Sequence, residues 1–115
     1  MTKLERLRLR YIQDPVPVRL GGLAANLARI VSFSKNQGHR KVVSTILHES
    51  KWFIEWTAAQ LEIQRTADFV ELQIELAVWE LQAHDKWEDE IWRLTLAAKA
   101  ERWSQRILDM SGLLG

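Results

Sequence analysis

From Arg40 to Ser111 the chain contains neither glycine nor proline, and all six of its tryptophans (Trp52, Trp56, Trp79, Trp87, Trp92 and Trp103) fall inside that stretch. Gly38 and Gly112 bracket it. A run of this length without a backbone breaker, dense in Leu, Ala, Glu, Gln and Arg, reads as helix. Tryptophan buries a large area, so six indoles need either a shared core or an interface, where Trp is a preferred anchor. The expected class is all-α: an antiparallel bundle of three long or four shorter helices behind a short basic N-terminal helix.

Periodicity divides the chain. Leu4, Leu7 and Tyr11 share one face of the first helix, with Lys3, Arg6 and Arg10 opposite. The Asp14-Pro15-Val16-Pro17 segment stops it, so residues 1–17 form a helix and its connection. Residues 18–36 follow with the stripe Leu20, Leu23/Ala24, Leu27, Ile30/Val31, and Lys35 to Gly38 make a turn in which Gly38 suits a left-handed residue. Residues 40–64 carry Val43, Ile46/Leu47, Ser50, Phe53/Ile54, Thr57 and Leu61. The phase then slips, and a tight turn is expected near Gln64 to Thr66, with Thr66 as cap, the alternative being one helix that runs through with a kink. Residues 66–111 resume with Ala67, Val70, Ile74, Ala77 and Leu81 as the inward stripe.

As one rod, residues 67–110 would reach about 66 Å, against about 38 Å for the helix before them. Either the chain bends near Ala83-His84-Asp85, or the rod projects and pairs with another subunit. Trp87, Ile91, Leu94 and Ala98 on one side, and Trp92, Leu96, Trp103, Ile107 and Met110 on another, give the second half two apolar faces, which favours a dimer or a complex. Met110 to Leu114 reads as an apolar hook that tucks back. The whole, 1–115, is expected to be a single domain.

Composition removes whole classes of function. There is no cysteine, hence no disulfide, thiol nucleophile or thiolate metal site. The best apolar run, Leu20 to Val31, is interrupted by Asn26 and Arg29 and falls short of a membrane span. Arginines interrupt any apolar stretch of signal-peptide type near the start, so a cytoplasmic protein is expected.

Catalytic and metal chemistry find little to stand on. His48-Glu49 begins a zinc-protease pattern, but Trp52 stands where the second His is required. Glu80, His84 and Glu88 stack one turn apart on a helix face, which reads as a solvated polar stripe. Gly21-Gly22 has no Walker lysine or dinucleotide fingerprint after it, and reads as close helix packing with Ala24, Ala25 and Ala28. No catalytic, cofactor-binding or metal-binding residue is expected, and the chain is read as a non-enzyme.

The charge pattern is more informative. Residues 1–41 hold nine Lys/Arg against Glu5 and Asp14, whereas residues 42–115 hold seven against thirteen Asp/Glu. This is either a basic layer packed beside acidic helices or a basic arm for an acidic partner. Trp52 and Trp56, one turn apart and off the Leu47/Ile54/Leu61 axis, form either the edge of the core or an aromatic ledge. The acidic cluster Asp85, Glu88, Asp89 and Glu90 reads as a solvated turn of helix. The expected partner-binding residues are Trp52, Trp56, Trp87 and Trp92 as anchors, with Arg6, Arg8 and Arg10 as steering charges. The expected function is a self-associating protein-interaction module, a homodimer. The rival is a nucleic-acid-binding regulator using the basic first 41 residues, although no recognition helix follows them. A membrane-surface role for the N-terminal helix is the weaker third reading, since some ten residues bind feebly alone.

Three segments, Arg19-Leu20-Gly21-Gly22-Leu23-Ala24-Ala25-Asn26-Leu27-Ala28-Arg29-Ile30, Glu49-Ser50-Lys51-Trp52-Phe53-Ile54-Glu55-Trp56-Thr57-Ala58 and Met110-Ser111-Gly112-Leu113-Leu114, resemble a family of small conserved cyanobacterial proteins of unknown function. The likeness spans nearly the whole chain. It implies a photosynthetic prokaryote's cytoplasm and carries over no catalytic residue.

Overall fold

The computed structural model describes residues 1–113, and every regular element among them is helical. Thr2 opens α1 (Lys3–Gln13): its hydroxyl accepts from the Glu5 amide at 3.1 Å, pairing one of the first-turn donors that the helix itself leaves free. The two prolines then do more than stop α1. Pro15 is the N-cap of α2 (Val16–Ser34) and Pro17 sits in its first turn, where a missing N–H is no loss. α2 therefore starts before residue 18.

The expected face of α2 is buried: Leu20, Leu23, Ala24, Leu27 and Ile30 all point inward. Each large side chain contributes about 1.5–3 kcal/mol of transfer free energy. The turn after α2 is a correction. Gly38 is not left-handed; it lies in a single 3-10 turn (Gln37–His39), where the Asn36 side chain accepts from the Gly38 amide at 2.8 Å. Among the described residues only Gly112 has positive φ, 72°, and it closes the last helix.

α3 (Arg40–Ala58) buries Val43, Ile46, Leu47, Ser50, Phe53, Ile54 and Thr57, the stripe read from the sequence. The next turn comes earlier than expected. α3 ends at Ala58, and α4 (Ile63–Lys86) already includes Gln64 to Thr66. Thr66 is not a cap: inside α4, its hydroxyl donates back to the Glu62 carbonyl at 3.1 Å.

In α4 the expected phase is inverted. The buried residues are Phe69, Leu72, Leu76, Trp79 and Ala83. Ala67, Val70, Ile74, Ala77 and Leu81, expected inward, are all exposed. Both sets repeat at alternating three- and four-residue spacing on opposite sides of the helix. Periodicity alone gives them equal claim to the core; the larger Phe69 and Trp79 take it.

The long segment 66–111 is two helices rather than one. α4 ends at Lys86, and α5 (Glu90–Ser111) begins after Asp89, whose carboxylate accepts from the Ile91 and Trp92 amides at 2.9 and 3.3 Å. The bend falls a few residues after Ala83-His84-Asp85, because Asp89 supplies the cap. It also removes the overhang: the molecule measures 38 × 35 × 22 Å.

α2 is central. α5 packs along it in the opposite direction, with the Ser104 hydroxyl donating to the Ala24 carbonyl at one end and the Trp87 indole donating to the Gln37 carbonyl at the other. α3 flanks α2 on another side, where Asn26 donates to Ser50 at 3.3 Å, and α4 packs on α3. α4 reaches α5 through long side chains: Trp103 donates to Glu75, and Arg106 pairs with Asp68. Leu113 comes back against Gly21. The rest of the expected C-terminal hook, Leu114, lies outside the described residues.

Candidate functional site

Aromatic rings run in sequence from the end of α1 across α3. Tyr11 stacks on Phe53 with centroids 4.1 Å apart, Trp56 sits 5.8 Å from Tyr11, and Trp52 stacks on Trp56 at 5.8 Å. Phe53 and Tyr11 are buried, whereas Trp56 and Trp52 are half-buried. The row therefore passes from core to surface and ends on an indole face that solvent reaches. Trp56 packs on the core as well, as the core-edge reading of this pair expects.

The inner end of the row is fixed by polar contacts. Buried Tyr11 donates to the Arg19 carbonyl at 3.1 Å and accepts from the Thr57 hydroxyl at 3.1 Å. Burial pushes its phenol up to about 12, with the Thr57 hydrogen bond and the Arg19 charge pulling the other way. Arg19, buried itself, directs its guanidinium at the carbonyls of Ile12 and Asp14, both at 2.8 Å, and of Trp56 at 3.4 Å. These belong to the C-terminal ends of α1 and α3, where unpaired carbonyls concentrate negative partial charge. One arginine thus holds two helix ends beside the aromatic row.

Arginine serves the ends of α4 and α5 in the same way. Arg93 donates to the Trp87 carbonyl at 2.6 Å and lies 5.7 Å from the Trp87 ring, Arg40 donates to the His84 carbonyl at 3.0 Å, and Arg65 donates to the Met110 carbonyl at 3.0 Å. Arg19 and Arg40 are read in the sequence only as basic charges, and the role of these arginines at helix ends went unread there. A signal existed for two of them: Arg19 adjoins Leu20 in the α2 stripe, and Arg93 shares the face of Leu96, Ala97 and Ala100.

The expected anchors separate. Trp87 is 1% exposed, a core residue packed under the α4–α5 bend, and is corrected from anchor to core. Trp92 is half-buried, donates to Gln82 at 3.1 Å and meets Trp87 edge-on at 6.4 Å. Arg6, Arg8 and Arg10 are exposed on α1, and none of the ion pairs among the described residues uses them. Arg6 and Arg10 line an open groove of about 460 Å³ with Lys3, Leu7 and Glu49, so α1's charge and the aromatic row both meet α3.

Other constellations resolve into local structure. Glu80 of the proposed polar stripe pairs with Lys51 at 3.6 Å, and Glu88 accepts from Gln37. Asp89 of the acidic cluster is the α5 cap. Gly21 does not meet a helix backbone; a Cβ there would touch the Leu113 side chain. Among the described residues no group of three or more His, Asp or Glu converges, and no helix is long and apolar enough to cross a membrane.

What these features define is an all-helical chain with a stacked aromatic edge and a basic helix, with no metal-binding cluster of His, Asp or Glu among the described residues. No family model, curated protein or solved structure matches it.

Proposed function

We propose that this antiparallel helical bundle is a non-enzymatic, self-associating protein-binding module. Trp52, Trp56 and Trp92 are the anchoring side chains and Arg6, Arg8 and Arg10 steer an acidic partner. The observation that carries the reading is the aromatic row: Trp52 stacks on Trp56, which rests against Tyr11 at the end of the basic helix. A half-exposed indole held rigid by stacking loses little conformational freedom on binding, which is why such residues concentrate interface energy. Exposed arginines raise the rate of encounter more than the final affinity. The resemblance to the small cyanobacterial family belongs to this proposal and would put the partner in that cytoplasm.

The test is capture of a partner by the tagged protein, with and without nuclease, compared with Trp52→Ala and with Arg8→Glu/Arg10→Glu. A defined protein that survives nuclease, and is lost with Trp52→Ala while the variant keeps its fold, supports the module. Bound material that vanishes with nuclease and weakens steeply with salt supports the nucleic-acid regulator instead.

A further inference from the structure

The outward face of α4 is an apolar seam on which nothing packs among the described residues. Ile63, Val70, Ile74 and Leu81 are 90, 55, 60 and 75% exposed, and Ala67 and Ala77, also exposed, fill the gaps between them. Their spacing alternates four and three residues from Ile63 to Leu81, about 27 Å of the helix, which is the repeat of a coiled-coil contact and not of scattered surface residues. We propose that a second copy of this chain covers this face with its own α4, antiparallel and two-fold, so that the self-association within the proposed function is an α4–α4 pairing. The tryptophan and arginine surface takes no part in it.

Three arguments select this occupant. The first is area: the four large side chains expose on the order of 500 Å² per copy before flanking stems are counted, the scale of the ~800 Å² each partner gives a stable interface. The second is shape. With the two-fold axis between Ile74 and Ala77, Ile74 meets the partner's Ala77, large against small, Val70 meets the partner's Leu81, and Ala67 meets the larger His84 of the partner subunit. A parallel pairing in register would set Ala67 and Ala77 against their own copies and leave voids.

The third is charge. In the antiparallel arrangement Glu80 flanks the partner's Gln73, Glu71 flanks the partner's Val78, and Asp85 flanks the partner's Gln64. No carboxylate faces another. A parallel pairing would place Glu80 beside the partner's Asp85 on both sides of the seam, a like-charge contact that disfavours it. Internal pairs reduce the field of the flanks further: Lys51 sits 3.6 Å from Glu80, and Arg106 pairs with Asp68 and reaches Glu71 at 3.9 Å.

Sedimentation equilibrium of the full chain, combined with one spin label per copy, tests the seam. The chain has no cysteine, so Gln64→Cys gives a single nitroxide site. The expected results are a dimer at about 50 µM and an inter-label distance of about 35 Å, the offset of antiparallel helices. Ile74→Glu should raise the dissociation constant on the order of 100-fold or more while leaving helicity unchanged, and Tm unchanged at dilutions where the wild type is monomeric too. Leu81→Lys repeats the test at a second exposed position. A wild-type monomer at several times that concentration would overturn the proposal, as would a dimer that survives both substitutions. A dimer lost to Arg8→Glu/Arg10→Glu but not to the α4 variants would move the contact to α1 and overturn it too. A distance under about 20 Å would mean parallel helices and overturn the arrangement. A wild-type monomer would also remove self-association from the proposed function, whereas none of these outcomes bears on capture of a partner through Trp52, which fails or stands separately.

Discussion

The Tyr11 hydroxyl donates to the main-chain carbonyl of Arg19 at 3.1 Å, while the Arg19 guanidinium reaches back to the carbonyls of Ile12 and Asp14. The end of α1, the Pro-containing connection and the start of α2 are thereby locked to one another, and Thr57 adds α3 by donating to the same phenol. Tyr11 is the chain's only tyrosine. The position of the basic helix relative to the tryptophan edge depends on this knot.

Alkaline stability should report on Tyr11. The folded protein holds the phenolic proton up to about 12, whereas the unfolded chain releases it near the ordinary value of 10.0. The unfolded state therefore loses the proton first as pH rises, and stability present below pH 10 falls between about pH 10 and 12, by about 2–3 kcal/mol from this group. Tyr11→Phe should flatten that arm while costing about 1–2 kcal/mol at neutral pH, because Thr57 loses its acceptor and the Arg19 carbonyl its donor. A 295 nm titration of the wild type, which reads this single phenol, should place the midpoint well above 10. A midpoint at 10 would remove the basis of the prediction.

Arg19→Met should destabilise the fold by about 3 kcal/mol in urea unfolding, since it leaves the carbonyls at two helix ends without their donor. Arg19→Lys should recover less than half of that loss, because an ammonium cannot span the same acceptors. Equal midpoints for Lys and Arg would mean that charge alone matters there and geometry does not.

Trp87 and Trp52 should behave as opposites. Trp87→Ala empties a fully packed site and orphans the Gln37 carbonyl, with an expected cost of about 3–5 kcal/mol. Trp52→Ala removes a half-exposed ring and should cost about 1 kcal/mol or less. Thermal melts of both variants decide the point; if Trp52→Ala melts as low as Trp87→Ala, Trp52 is core and is withdrawn as an anchor.

Two glycines should respond in opposite directions. Gly21→Ala places a Cβ 2.7 Å from the Leu113 side chain, a flexible and half-exposed group that has room to shift, so the gain in helix propensity should win by about 0.5–1 kcal/mol. Gly112→Ala forces an L-residue to φ 72° and should destabilise by about 1 kcal/mol. Melting temperatures that move the same way would contradict the account of Gly21.

Much of the helical layout was legible along the chain. The stripes of α2 and α3 were readable because each helix has one apolar face, so periodicity has a single solution. α4 has two such faces of the same spacing, and its phase was misread, because choosing between Phe69/Trp79 and Val70/Ile74 depends on which volume fills the space beside α3. The candidate site was legible in part. Trp52, Trp56 and the exposed arginines of α1 are ends of side-chain patterns visible in sequence. The burial of Trp87 follows from the position of the α4–α5 bend, which Asp89 fixes by capping α5 and which no periodicity marks.

The sequence by itself determined that the chain is helical, because Arg40 to Ser111 offers no breaker and the apolar residues recur at helical spacing. It also determined the charge contrast between the first 41 residues and the rest. Only the tertiary structure decided which arginines are spent on helix ends and which remain free. The carbonyls that hold Arg19, Arg40, Arg65 and Arg93 belong to residues brought near by folding, such as Trp56, His84 and Met110. A guanidinium's role is set by the acceptors within about 3 Å of it, a distance that sequence order does not encode.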